Sequence, residues 1–225
     1  MQLTRRTVVA GLTLSGCAPT LMDQRIVSIR TPDDVLVSGR EYGNGRRGVV
    51  LVPGGHGVGE TWDLQAHRLA EAGFRVLAMD YRGRGVAPTA SPDDTKAHLD
   101  VLGAVRQLRA GGVDHVSVVG ASWGGWAAGT AAVAEPSLID RLVLLAHSPF
   151  EQPERLGGRK LFIVAAEDRV GSGRLRLHEI RSQYDRAPEP KQLVVLPGAA
   201  HAQFLFLTPH GETLYAEIFG FLAAP

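Results

Sequence analysis

The chain has 225 residues, 44% of them hydrophobic and 21% charged, with 24 basic against 23 acidic side chains and a formal net charge of +1. That suits a single domain with a sizeable core of its own, and the absence of a basic run or an aromatic-interleaved basic patch excludes nucleic acid as an expected partner. One cysteine excludes an internal disulfide, so packing must carry the stability.

The first residues differ in kind from the rest. Arg5 and Arg6 precede a short, mostly apolar run from Thr7 to Leu14, too short to span a bilayer. Leu14-Ser15-Gly16-Cys17 then resembles a bacterial lipobox, with an aliphatic residue, two small residues and the cysteine that would take the lipid. Thr4-Arg5-Arg6 also resembles a twin-arginine export signal, although Val8-Val9 stand where that signal has Phe-Leu-Lys. The expectation is an export signal over residues 1–17, a linker over 18–25 and a domain over 26–225. Lipidation at Cys17 would anchor the protein in the cell envelope or periplasm through a membrane-inserted acyl chain. The competing readings are a signal of another kind, cleaved or uncleaved, and a disordered start whose cysteine is a stray.

Strands are expected at Ile26–Arg30 and Val35–Glu41, separated by the turn Thr31-Pro32-Asp33-Asp34. Short continuous apolar runs follow at Gly48–Val52, Arg75–Met79, Val116–Gly120, Leu142–Ala146, Leu161–Ala165 and Leu193–Leu196, the pattern of strands buried on both faces. Helical periodicity occupies the intervals Thr61–Ala72, Asp93–Ala110, Trp123–Glu135, Leu175–Tyr184 and Glu212–Leu222. Alternating strands and helices predict an α/β fold with a mostly parallel sheet covered on both faces, opened by an antiparallel hairpin.

The strongest chemical signal is Gly120-Ala121-Ser122-Trp123-Gly124, between an apolar strand and a helix. In that setting G-x-S-x-G marks a nucleophile elbow, where the turn is so sharp that the residues two before and two after the serine must be small. A serine hydroxyl needs a base. His201, in the loop after the last expected strand, is the candidate; His67, His98 and His178 lie on expected helices, His115 and His147 at strand ends, and His210 opens the last helix. The imidazole needs a carboxylate to fix its tautomer. Asp168, just after the strand Leu161–Ala165, is placed to supply it, with the neighbouring Glu167 pointing away; Glu151 is a weaker alternative. The developing oxyanion needs two N–H donors. Trp123 should supply one and the loop Pro53-Gly54-Gly55-His56-Gly57 the other, with Gly55 preferred and His56 the second choice. Trp123 and Trp126 flank this helix, either lining a pocket or simply packing. No metal-ligand cluster of zinc-like spacing and no convincing phosphate-binding loop is present, so no metal or cofactor is expected.

These residues together resemble the α/β-hydrolase superfamily, over nearly all of the chain after residue 25. Val49 to Trp62 is similar to that family's strand and oxyanion segment, with Pro53 where a histidine is common, and Leu69 to Gly85 is similar to the segment ending in D-x-R-G-x-G. The resemblance implies a structural role for Asp80. It also implies a lidless domain, because only Phe150 to Lys160 stands where the family often inserts a lid. The activity expected is hydrolysis of a small-molecule carboxylic ester through an acyl-enzyme. A peptidase, amidase or thioesterase would use the same three residues, and a non-catalytic binding lipoprotein on the same fold is the reading from another class. Ser122 at the elbow disfavours aspartate-nucleophile dehalogenases and cysteine-nucleophile lactone hydrolases. The sequence leaves the oligomeric state open.

Overall fold

The computed structural model describes residues 24–55, 57–86 and 92–224. The expected signal with Cys17, nearly all of the linker, and His56 lie outside the described residues. Among the described residues there are eight strands: β1 (Arg25–Arg30), β2 (Leu36–Tyr42), β3 (Arg47–Val52), β4 (Phe74–Met79), β5 (His115–Ala121), β6 (Arg141–Leu145), β7 (Arg159–Ala165) and β8 (Lys191–Leu196). They form one sheet in the order β1-β2-β4-β3-β5-β6-β7-β8. β1 and β2 pair antiparallel, as do β2 and β4, and every other neighbouring pair is parallel. Each strand lies within two residues of its expected position.

Two-sided burial explains the apolar runs of β3 to β7, but the run Leu193–Leu196 is not buried on both faces: β8 is an edge strand with only Leu196 buried and Val195 39% exposed. Along β3, Val50 and Val52 enter one core while Val49 and Leu51 enter the other; along β6, Leu142 and Leu144 alternate with Val143 and Leu145 in the same way. Helices α2 (Ala97–Ala110), α3 (Trp123–Ala134) and α4 (Arg176–Arg186) cover the first face, and α1 (Asp63–Glu71) and α5 (Gly211–Ala223) the second. Each fully buried Val or Leu side chain contributes about 1.5–3 kcal/mol relative to exposure.

The helix starts are more elaborate than periodicity indicates. α1 is preceded by a 3₁₀ turn, Gly59–Trp62, and α2 by another, Asp94–Lys96. In the second, the Asp93 side chain accepts from the Thr95 N–H and caps the turn. Two further 3₁₀ segments, Pro153–Arg155 and Ala202–Leu207, carry no helical period in the sequence. Between β6 and β7 the chain makes only a short excursion through Pro153–Arg155, so no large lid is inserted there.

Asp80, at the end of β4, is fully buried. It accepts from Ser38 Oγ at 2.6 Å and from the Gly59 N–H at 2.8 Å, tying β2 to the segment that leads into α1. Two residues on, the buried Arg82 donates to Asp100 on α2 and to Asp33 in the β1–β2 turn. The D-x-R-G-x-G segment thus pins the antiparallel opening of the sheet to its parallel body.

Candidate active site

In parallel sheets of this kind ligands bind beyond the carboxyl ends of the strands, where consecutive connections diverge to opposite sides. β3 is that point. Its connection to β4 runs through α1 on one face, and the chain then returns through α2 on the other to β5 at its opposite flank. The loops after β3 and β5 therefore face one another, and Gly54 and Ser122 line the same cleft.

Ser122 stands between β5 and α3 with φ 53° and ψ −120°, a region that side chains other than glycine rarely occupy and that persists only where the surroundings impose it. The surroundings do so on every side. The Ser122 N–H donates to the Leu145 carbonyl, and its carbonyl accepts from the N–H groups of Gly125, Trp126 and Ser148. The glycines are required by contact. A Cβ at Gly120 would lie 2.6 Å from the Gly124 carbonyl oxygen, and one at Gly124 would lie 2.3 Å from that of Pro53.

The parallel register of β7 and β8 brings the next two residues together. It continues past the strands as Ala166 N–H to Leu196 O and Glu167 N–H to Gly198 O. Glu167 is exposed and Asp168, only 2% exposed, faces inward. His201 Nδ1 lies 2.8 Å from Asp168 Oδ2, and its Nε2 lies 2.8 Å from Ser122 Oγ. A carboxylate only accepts, so the proton belongs on Nδ1, leaving Nε2 free to accept the Ser122 O–H. Sequence reasoning missed the second partner of Asp168: Arg176, the first residue of α4, donates from Nε to the same Oδ2 at 2.9 Å, and its N–H bonds the Asp168 carbonyl.

The loop after β3 is clamped. Buried Tyr81, whose hydroxyl is pushed well above its ordinary pKa by desolvation and so remains a neutral donor, donates to the Pro53 carbonyl at 2.8 Å. Arg84 donates to the Gly55 carbonyl at 3.3 Å, and the Gly54 N–H makes a long bond, 3.4 Å, to Gln203 Oε1. Gly55 adopts φ 52°, which glycine takes without the steric cost that a Cβ brings. Trp123 opens α3, so its N–H is one of those a helix N-terminus leaves without an intrahelical acceptor. Its indole packs edge-on against Tyr81 and stacks on Trp126. The cleft over Ser122 and His201 measures about 540 Å³ and is bounded by Gly54, Gly55 and the 3₁₀ segment after His201. Among the described residues no three His, Cys, Asp or Glu side chains are grouped to hold a metal ion.

A serine on a strained strand-to-helix turn, backed by an imidazole and a buried carboxylate at the carboxyl edge of a parallel sheet, defines a fold class. The chain belongs to the α/β-hydrolase fold family, whose model matches residues 48–166. Among curated proteins it is 29% identical over 107 residues to a proline iminopeptidase of Pestalotiopsis fici, a stretch covering 47% of this chain and 38% of that one. It is 28% identical over 125 residues to a 2-hydroxy-6-oxononadienedioate/2-hydroxy-6-oxononatrienedioate hydrolase of Dechloromonas aromatica, covering 54% of this chain and 43% of that one. The match thus spans less than half the length of either relative. Among solved structures, an esterase of Pyrococcus furiosus superposes with a TM-score of 0.72 at 18% identity, over 89% of this chain and 92% of that one. A dienelactone hydrolase of Anabaena variabilis gives 0.70 at 22% identity, over 88% and 94%. At these identities the likeness is one of fold.

Proposed function

We propose that this protein is a serine hydrolase that cleaves a carboxylic ester through an acyl-enzyme, with Ser122 as nucleophile, His201 as general base and acid, and Asp168 as the carboxylate that orients His201. The observation that carries the reading is the relay of two 2.8 Å contacts from Ser122 Oγ through the His201 ring to Asp168 Oδ2. As Ser122 Oγ bonds to the ester carbonyl carbon, its proton passes to His201 Nε2 and the carbonyl oxygen takes up the negative charge. The N–H groups of Trp123 and Gly55 are the donors proposed for that oxygen, Trp123 with the added field of the α3 N-terminus. Collapse breaks the bond to the alcohol, which leaves with the proton from Nε2. Water then attacks the acyl-enzyme, gives a proton to Nε2, and releases the acid as the proton returns to Ser122 Oγ. An amide would pass through the same steps, and the partial likeness to a proline iminopeptidase is the reason to include an N-terminal prolyl amide in the assay panel.

The test is a fluorophosphonate reaction on the folded protein, with the adduct located by peptide mass spectrometry and hydrolysis of p-nitrophenyl acetate followed in parallel. The expected result is one adduct, on Ser122, with both labelling and hydrolysis abolished by Ser122→Ala. A folded protein that takes no label and hydrolyses no activated ester would leave the fold with a binding role instead.

A further inference from the structure

The cleft over Ser122 is not evenly lined. Its floor is polar, with Ser122, His201 and the glycines after β3, but its outer wall is mostly hydrocarbon, interrupted by Thr61, Gln65 and Gln203. That wall is built from two elements. α1 contributes Leu64, and the 3₁₀ segment Ala202–Leu207, which follows His201 directly, contributes Phe204, Phe206 and Leu207. Three of these side chains are among the most exposed large apolar groups described: Leu64 at 64%, Phe204 at 66% and Leu207 at 81%. An isolated exposed leucine needs no explanation, but a group of them on one wall of one cleft does. Packing does not supply it. The same segment is anchored by the buried Ala202 and Leu205, which face the core with α5, so Phe204 and Leu207 are free to face the cleft at no cost to the fold. The wall is also held still: the Gln203 side chain donates to the Thr61 carbonyl at 3.1 Å, bridging the 3₁₀ segment to the turn that precedes α1.

We infer that this wall is a subsite for a hydrocarbon chain of the ester, so that the substrates are esters carrying an extended apolar group rather than acetates or charged acids. The inference rests on the serine-hydrolase reading above. Its physical basis is continuity, because the wall begins at the residue after His201 and lies in the same cavity as Ser122 and Gly55. A chain attached to the reacting carbonyl on either side can enter it without leaving the cleft. The chain would be covered on one side only, since the cleft is open. Full burial of a methylene raises affinity about fourfold, so a half-covered one should raise kcat/KM by roughly twofold per methylene until the wall ends.

Two ester series test this on the folded protein: p-nitrophenyl esters from acetate to decanoate, which lengthen the acyl side, and alkyl acetates from methyl to octyl, which lengthen the alcohol side. The variant is Phe204→Ser with Leu207→Ser, two exposed positions whose replacement leaves the core intact. The expected result is a kcat/KM that climbs with chain length in one series, identifying which half of the ester uses the wall. In the double variant that climb should flatten, with a loss of about tenfold at eight carbons and less than twofold at acetate. If acetate is turned over but neither series climbs, or the variant keeps the slope, the subsite is refuted while the hydrolase reading stands. If the variant keeps its soluble-ester kinetics but loses sedimentation with phosphatidylcholine vesicles, the wall is a lipid-surface contact and the inference is equally overturned. If no ester in either series is hydrolysed by a protein that also resists fluorophosphonate, both readings fall together.

Discussion

His201 and Arg176 bond the same oxygen of Asp168, Oδ2, at 2.8 and 2.9 Å. A buried carboxylate with a guanidinium on one side and an imidazole on the other has its charge compensated before any chemistry begins, and its orientation is fixed from both directions. Asp168→Asn keeps the size and the burial but offers an amide where His201 Nδ1 needs an acceptor, and an amide can turn its NH₂ toward the ring and force the wrong tautomer. On the proposed mechanism kcat should fall about 10³- to 10⁴-fold. Thermal melting of the variant, measured beside its kinetics, separates this from unfolding. A variant that retains most of its kcat would remove Asp168 from the mechanism. The positions of Ser122, Asp168 and His201 were legible because each follows an apolar strand in a fixed chain order. Arg176 was not. It is one of 24 basic residues, and it reaches Asp168 only because the intervening loop closes on itself through an Arg169–Leu175 bridge. Gln203 was hidden for a similar reason, since its partners Thr61 and Gly54 lie far away in sequence.

The elements β3, β5 and α3 meet at one crowded point. A Cβ on Gly124 would come within 2.3 Å of the Pro53 carbonyl oxygen and 2.7 Å of that of Val52. Both neighbours are backbone, and Pro53 is itself held by Tyr81, so neither can move away cheaply. Gly124→Ala should therefore cost at least 1–3 kcal/mol and push the loop of Gly54 and Gly55 away from Ser122. The expected outcome is a lowered melting temperature together with fluorophosphonate labelling slowed by more than tenfold in the fraction that folds. Labelling at the native rate would show that the elbow tolerates separation from this loop. The positions of β3 to β7 were legible at this scale because two-sided burial writes continuous apolar runs into the sequence, whereas β8 at the edge keeps such a run while mostly unburied. The 3₁₀ segments were not legible: in Ala202–Leu207, Phe204 and Leu207 line a cleft while Phe206 packs against Trp62 and the core, a mixture that erases the periodicity that burial would have written.

For the whole molecule, the absence of a large lid between β6 and β7 leaves the site open, and the body beneath it is held rigid by packing and by buried polar ties such as those of Asp80 and Arg82. One buried titratable group sets a limit on that rigidity in acid. His147, just beyond β6, is fully buried under α3: the nearest approach of a Cβ at Gly125 would be to the His147 Cβ, at 2.4 Å. Its Nε2 lies 3.0 Å from Gln183 Oε1, and the rings of Phe150 and Phe162 enclose it. Desolvation pulls its pKa from 6.5 down to about 4, helped by the Arg176 charge and opposed by the Gln183 bond. The folded protein therefore keeps His147 neutral while the unfolded chain protonates it below pH 6.5. Stability conferred by the neutral ring is fully present above that value and is lost as the pH falls toward 4, at about 1.4 kcal/mol per pH unit. Asp33, held low by Arg82, yields only below its ordinary value of 3.8. Asp100, raised by its burial, acts in the opposite direction. Urea unfolding at pH 7.5, 6.0 and 4.5 should show a loss of about 2.5 kcal/mol from His147 across that range, to which His98, lowered by its own burial, adds in the same direction, and His147→Gln, less stable at neutral pH, should show a flatter profile. Proton NMR of the folded protein offers a check that does not depend on the variant folding. A His147 ring resonance titrating near 6.5 would place the acid sensitivity elsewhere, whereas one unchanged down to about pH 5 would tie it to this ring beneath α3.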